Sequence, residues 1–205
     1  WVETLRGGQP ERAGKPSFIL TFNSWEGTLA AWRGAASNLF NAGADGLYLF
    51  NPAFGEPEWW REIGETATMA GKDKLYGIER FAGKDSFEAL DERILATDVP
   101  VAETFQVGED PSTANARSVD FRLHLWDYVP GDDVSVRLNR EPIDGMAPQD
   151  PGRKQEEGQW LQGNLNANQV RRGENTVEVI LRKRGESASS SIALDAVQLY
   201  VHCES

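Results

Sequence analysis

Ser118-Val119-Asp120-Phe121-Arg122-Leu123-His124-Leu125 alternates apolar and polar side chains from Val119 onward. Successive side chains of a strand point to opposite faces, so this stretch puts one face into a core and turns the other toward polar surroundings. Working outward, runs of similar length fall at 99–107, 134–138, 176–181 and 192–201, separated by turn residues. Val177-Glu178-Val179-Ile180-Leu181 is the most continuously apolar of them and predicts a central strand. No helical period of any length interrupts these runs. Residues 144–158 read as a long loop, and 187–191 as a serine-rich hairpin tip. The expectation for residues 96–205 is an antiparallel β-sandwich.

Residues 1–95 follow another pattern. Pro16-Ser17-Phe18-Ile19-Leu20-Thr21-Phe22-Asn23 is a short apolar run of the kind buried parallel strands show. Thr28 then precedes a helical period in which Leu29, Trp32, Ala36, Leu39 and Phe40 share one face, and Gly43 ends it. Leu47-Tyr48-Leu49-Phe50 predicts a second strand, closed by Asn51-Pro52. A further helix over 56–64 carries Trp59, Trp60 and Ile63, and a short helical turn runs into Leu75-Tyr76. Strand, helix, strand, helix with short links is the order of parallel α/β units. Residues 16–22 and 47–50 are therefore expected to be adjacent parallel strands joined by the helix after Thr28. Trp59 and Trp60 are neighbours in sequence, so one of them is expected to reach the sandwich.

The segment from Arg33 through Asn38 to Gly43-Ala44-Asp45-Gly46-Leu47-Tyr48-Leu49-Phe50-Asn51 resembles the last helix–strand step of a (β/α)8 barrel, in the manner of bacterial glycoside-hydrolase-like proteins. Glu62-Ile63-Gly64 and Leu75-Tyr76 resemble the segment that closes such barrels. Val136-Arg137-Leu138-Asn139-Arg140 and Arg172-Gly173-Glu174-Asn175-Thr176-Val177 resemble strands of jelly-roll or galactose-binding-like accessory domains, although Arg140 stands where glycine is usual. The resemblance implies the last two β/α units of a TIM-type barrel over residues 1–95, followed by the sandwich. It implies a glycoside hydrolase acting on carbohydrate in a longer chain, of which this segment alone would be inactive. The alternative is a non-catalytic carbohydrate-binding module or a structural brace.

Composition limits the partners. Residues 1–95 carry 10 basic and 14 acidic side chains, and residues 96–205 carry 11 and 18; the whole is at −11. Neither part offers the basic footprint that phosphate backbones need, so nucleic acid and anionic membrane are excluded as partners. No apolar run approaches the ~18 residues of a membrane span. Cys203 is the single cysteine. No His, Cys and Asp spacing suggests a metal site, and no cofactor is expected. Trp1-Val2-Glu3-Thr4 shows none of the features of a signal peptide. The chain is expected to continue upstream, with the rest of the barrel as its intramolecular partner. A secreted or periplasmic location would follow if a signal peptide lies there.

Barrel enzymes carry their sites at the C-terminal ends of strands. That selects Asn23-Ser24-Trp25-Glu26 and Asn51-Pro52-Ala53-Phe54. Glycoside hydrolysis takes two carboxylates, and Glu26 is the one acidic residue near either strand end. Either it is the catalytic partner of an acid supplied by another strand, or it starts the helix after Thr28, where negative charge is favoured. Trp25 and Phe54 would stack on sugar rings or pack within their loops. Asn23 and Asn51 would bond sugar hydroxyls or satisfy strand-end backbone. On the sandwich, the aromatic candidates for sugar contact are Trp126, Tyr128 and Trp160. Asp132 and Asp133 read as loop charges, with calcium binding as the alternative.

Overall fold

The computed structural model describes residues 2–4, 18–21, 28–47, 49–50, 57–79, 88–90, 93–149 and 158–203. Strands β1 (Val2–Thr4), β2 (Phe18–Thr21) and β3 (Leu49–Phe50) form one small sheet in that order. Helices α1 (Leu29–Asn41), α2 (Pro57–Ile63) and α3 (Thr66–Met69) follow β2 and β3 along the chain. Then come β4 (Lys74–Glu79), β5 (Glu88–Ala89), β6 (Arg93–Ile94), β7 (Val101–Val107), β8 (Ala116–Trp126), β9 (Asp133–Leu138), β10 (Glu141–Pro142), β11 (Ala147–Pro148), β12 (Gln159–Leu165), β13 (Gly173–Lys183) and β14 (Ala193–Cys203).

Helix α1 begins and ends where its residues dictate. The Thr28 hydroxyl accepts from the Ala31 N–H at 3.3 Å, satisfying one of the free donors of the first turn. Gly43, at φ +96°, takes the left-handed position after the helix. The N–H groups of Gly43 and Ala44 return to the Phe40 and Leu39 carbonyls. The helix connects two parallel strands: Leu20 pairs with Leu49 and Thr21 with Phe50. That crossover is the one expected from the sequence. The small sheet is nonetheless mixed, because β1 runs antiparallel on the other edge of β2, Val2 opposite Leu20. Among the described residues there is no closed barrel.

The sandwich is built as the alternation predicts. One sheet has the order β10-β9-β13-β7, with β13 central as its apolar run implied; the other has β11-β12-β8-β14-β4-β5, with β6 also pairing β14. Val119, Phe121, Leu123 and Leu125 of β8 face Val177, Val179 and Leu181 of β13 in one buried core with Phe105, Leu138, Leu194 and Leu199. Two aligned sheets burying their apolar faces against each other account for this core.

Two expectations need correcting. The sheet recruits β4, which pairs antiparallel with β14 from Ala196↔Glu79 to Val201↔Lys74. Tyr76, Ile78, Leu90 and Leu95 thereby enter the sandwich core. The sheet thus begins well before residue 96, and Leu75-Tyr76 closes the sandwich rather than a barrel. A short apolar run after a helix looks alike in both settings, and only its distant partner distinguishes them. The second correction concerns Trp59 and Trp60. Both pack on the cluster of Trp32, Ala36, Ile63 and Met69, with Trp32 and Trp60 edge to face at 5.3 Å. They close the far side of α1 and are no part of the bridge to the sandwich.

That bridge uses small residues on the helix. Ala30 and Ala31 pack on Leu75, with Tyr200 against them. A Cβ at Gly34 would fall inside contact distance of the Leu75 carbonyl oxygen. Helix and strand backbones approach so closely that position 34 has no room for a side chain. Gly34→Ala is therefore expected to destabilise the protein by about 1–3 kcal/mol, as overpacking does. In a free helix the same change would stabilise by about 1 kcal/mol. Urea denaturation gives the sign; a stabilised variant would mean that α1 does not dock on β4.

The β9–β10 turn carries its own strain. Asn139 and Arg140 have φ of +51° and +76°, both in the left-handed region of a tight hairpin turn. Asn139 also works as a strut: its amide donates to Asn175 Oδ1 at 2.8 Å and to the Gln169 carbonyl at 2.9 Å. Arg140 has only the conformational cost, so Arg140→Gly is expected to raise stability by about 1 kcal/mol. An unchanged or lowered melting temperature would refute this.

Candidate functional site

The residues selected at the strand ends, Asn23, Trp25, Glu26, Asn51 and Phe54, lie outside the described residues. Their point of departure is described. Strands β2 and β3 are adjacent and parallel and stop in register at Thr21 and Phe50. The N-cap of α1 is filled by Thr28, whose hydroxyl makes the capping bond.

One set of polar residues gathers where α1 meets the sandwich. Arg33 pairs with Glu62 of α2, and its Nη1 donates to the Asp73 carbonyl at 3.0 Å. Lys72 takes the second oxygen of Glu62. Desolvation opposes ionisation of Glu62, but the bonds from Arg33 and Lys72 outweigh it and hold the carboxyl below its usual range. Asp73 in turn accepts from the Cys203 N–H at 2.8 Å. One turn further along α1, the Asn38 amide donates to the Gln106 carbonyl at 3.1 Å on the open edge of β7. At the last turn, Arg172 Nε donates to Asn41 Oδ1 at 2.6 Å. Of the residues that carried the resemblance in sequence, Asn38 joins α1 to β7, Arg33 joins it to the segment leading into β4, and Glu62 ties Arg33 to Lys72.

Beneath them lies a buried charge. The Lys74 ammonium, on a residue 1% exposed, donates to the Met69 carbonyl at 2.8 Å and the Lys72 carbonyl at 3.1 Å, and pairs with Glu109 Oε2 at 2.9 Å. All three of its N–H groups are used. Glu109 Oε1 is buried, and the Tyr76 phenol lies beside this carboxylate. The Tyr76 hydroxyl donates to Ser37 Oγ at 3.3 Å. Burial, with the Glu109 charge beside it, pushes the Tyr76 phenol well above its ordinary range, so it stays protonated. Sequence reading passed over Lys74 and Glu109. The signal was a lysine opening an otherwise apolar strand, Lys74-Leu75-Tyr76-Gly77-Ile78, and a carboxylate beside the glycine that ends another. A cleft of about 420 Å³ opens over this pair, between α1, α3 and the loop that joins β7 to β8.

Two of the aromatic candidates of the sandwich, Trp126 and Trp160, are half-buried on its polar face. Trp126 and Trp160 both lie against the His124 ring, with centroids 5.5 and 4.9 Å away. His124 is buried, and its Nδ1 is 2.8 Å from Asp195 Oδ2. Tyr128 packs against the core. On the same face His202 stacks on Tyr200 and meets Asp120 at 3.0 Å. Asp132 is committed internally: its oxygens accept from the Val129 and Gly185 N–H groups at 2.8 Å each and pair with Arg184. Among the described residues no group of three His, Cys, Asp or Glu could hold a metal ion, and no helix is long and apolar enough to cross a membrane.

No protein-family profile matches this chain, and no curated protein does. Solved structures with some likeness to it include a β-porphyranase of glycoside hydrolase family 86 from the human gut bacterium Bacteroides plebeius. The TM-score is 0.44 at 10% identity, over 63% of this chain and 20% of that one. Another is the wild-type protein named BuGH86 in complex with neoagarooctaose, with TM-score 0.39 and 11% identity over 62% of this chain and 18% of that one. The chain spans about a fifth of the length of these structures. Similarity of this degree assigns neither a family nor an activity.

Proposed function

We propose that this chain is the C-terminal part of a carbohydrate-active, glycoside-hydrolase-like protein, in which the sandwich braces the α/β portion of residues 1–95. The observation that carries the brace is the docking of α1 along its length: Ala30, Ala31 and Gly34 on β4, Asn38 on the β7 edge and Asn41 on Arg172. An independent binding module would need no such seam. The helix so held lies between β2 and β3 in the chain, and these two strands pair in parallel.

In this reading β2, α1 and β3 belong to a (β/α)8 barrel completed upstream, and β1 occupies the edge that an upstream parallel strand would take. Glu26 serves as one carboxylate of the acid/base pair, the other coming from another strand. Asn23 and Asn51 bond sugar hydroxyls, and Trp25 and Phe54 stack on the rings. The present segment alone is inactive, since a single carboxylate supplies half of that pair. The test is a longer protein that includes the upstream region, assayed on a panel of polysaccharides. Glu26→Gln should lower turnover by roughly 10²–10⁴, the contribution of a general acid or base. Unchanged turnover removes Glu26 from the mechanism, and turnover by the 205-residue chain alone removes the barrel.

A further inference from the structure

We propose that the outer face of the larger sheet binds an acidic sugar, with Arg122 taking the carboxylate of a uronate ring. The inference rests on the carbohydrate reading above but concerns a different place, the polar face of β8, β12 and β14. Val119, Phe121, Leu123 and Leu125 of β8 point into the core. Asp120, Arg122, His124 and Trp126 therefore point the other way. Register sets the neighbours of Arg122: Gln162 of β12 on one side and Gln198 of β14 on the other. Trp160 stands opposite His124, and Tyr200 opposite Asp120, so both are diagonal neighbours of Arg122. Diagonal pairs on one sheet face lie about 7–8 Å apart, within reach of long and aromatic side chains.

Arg122 is the unusual member of this face. It is half-buried, and its Nε is buried without a hydrogen-bond partner. Carboxylates lie near, but other groups hold them. Asp120 pairs with His202, Asp195 with His124, and Asp73 accepts from the Cys203 N–H. A guanidinium presents its donors in a rigid fork that fits a carboxylate bidentately, and partial desolvation strengthens that pairing. The surroundings select what carries the carboxylate. Gln149 holds the Gln162 carboxamide by its oxygen, which leaves the amide N–H groups of Gln162 to meet hydroxyl or carboxylate oxygens. Trp160 offers an apolar ring face, and its indole is fixed by His124, 4.9 Å away and itself held by Asp195. At the other end of the row Tyr200, stacked on His202 at 4.3 Å and packed against Ala30 and Ala31, closes the face where α1 begins. A sugar ring with a single carboxylate matches one guanidinium beside one indole. A polyanion does not, because the chain as a whole carries −11 and repels it.

The experiment is a titration of the full 205-residue chain with D-galacturonate and D-glucuronate, set against D-galactose, D-glucose and acetate, and followed by amide chemical shifts. At least one uronate should shift the amides of Arg122, Gln162 and Gln198 and the indole of Trp160. It should bind at least tenfold more tightly than its neutral parent sugar and than acetate. Arg122→Gln should abolish those shifts and leave the melting temperature unchanged, because the Arg122 Nε has no partner to lose. Equal binding of the neutral sugar shows that Arg122 reads no charge, and equal binding of acetate shows an adventitious anion only; either overturns the site. Shifts located elsewhere, no shift with either uronate, or a lowered melting temperature of Arg122→Gln overturn it too. None of these outcomes touches the hydrolase reading, which stands or falls with Glu26→Gln in the longer protein.

Discussion

A fragment of residues 96–205 should fail to unfold cooperatively, whereas a fragment of residues 66–205 should show a single transition. Removing everything before residue 96 strips β4, β5 and β6 from the larger sheet. It takes Tyr76, Ile78, Leu90 and Leu95 out of the core. Full burial of such side chains contributes about 1.5–3 kcal/mol each, so the loss is roughly 6–12 kcal/mol as an upper estimate. Whole domains are stable by about 5–15 kcal/mol. The loss is therefore comparable to everything the sandwich has. It also turns β14 from a central strand into an exposed apolar edge, which invites association. Starting at residue 66 retains β4 together with Met69 and Lys72, whose carbonyls hold the Lys74 ammonium. Near-ultraviolet circular dichroism with thermal melting distinguishes the two fragments. Limited proteolysis of the whole chain should leave a core that begins near residues 66–74. A core beginning at 96 that melts cooperatively would show that β4 is an accessory to the sheet rather than part of it.

The second large effect is expected at the buried ion pair. Lys74→Met removes the ammonium and leaves the partly buried Glu109 carboxylate, one oxygen of which is fully buried, without its counter-charge. Breaking a buried pair from one side costs about 3–5 kcal/mol, far more than the pair contributes over an apolar replacement. The Met69 and Lys72 carbonyls lose their donor as well. The double variant Lys74→Met/Glu109→Leu should recover most of the loss, because it removes the stranded charge together with its partner. Denaturant unfolding of the two singles and the double forms the cycle. If the double is as unstable as Lys74→Met, the cost lies in the two carbonyls and the ion pair contributes little.

What could be read from the chain in advance follows the range of the interactions. Val119, Phe121, Leu123 and Leu125 announce their own inward face, because strand alternation is a local property. Thr28 and Gly43 likewise announce the ends of α1. Strand β12 escaped notice: its buried positions include Gln159 and Gly163 beside Leu161 and Leu165, which dilutes the apolar period. The pairing of β4 with β14 joins residues far apart in sequence, and nothing local in Leu75-Tyr76 names that partner. The same holds for the joint. Arg33 and Asn38 stood out through resemblance, but their partners, Glu62, the Asp73 carbonyl and the Gln106 carbonyl, come from three separate elements. Trp126 and Trp160, candidates for sugar contact in the sequence, are half-buried against the His124 ring, a contact that joins two strands and has no local signal.

The order of strands in the larger sheet also bears on synthesis. β14 follows every other described element in sequence, yet it lies between β8 and β4. While the chain is being made, β4 and β8 emerge with no contact to join them, each with one long edge and an apolar face uncovered. They stay so until Ala193–Cys203 leaves the ribosome and inserts between them. Closure of the sheet is then a late, long-range event, slow by the topology of its contacts. Truncation just before Ala193 would remove the keystone of this sheet. Its product would be a chain with β4 and β8 permanently unjoined, a substrate for quality control rather than a shortened protein.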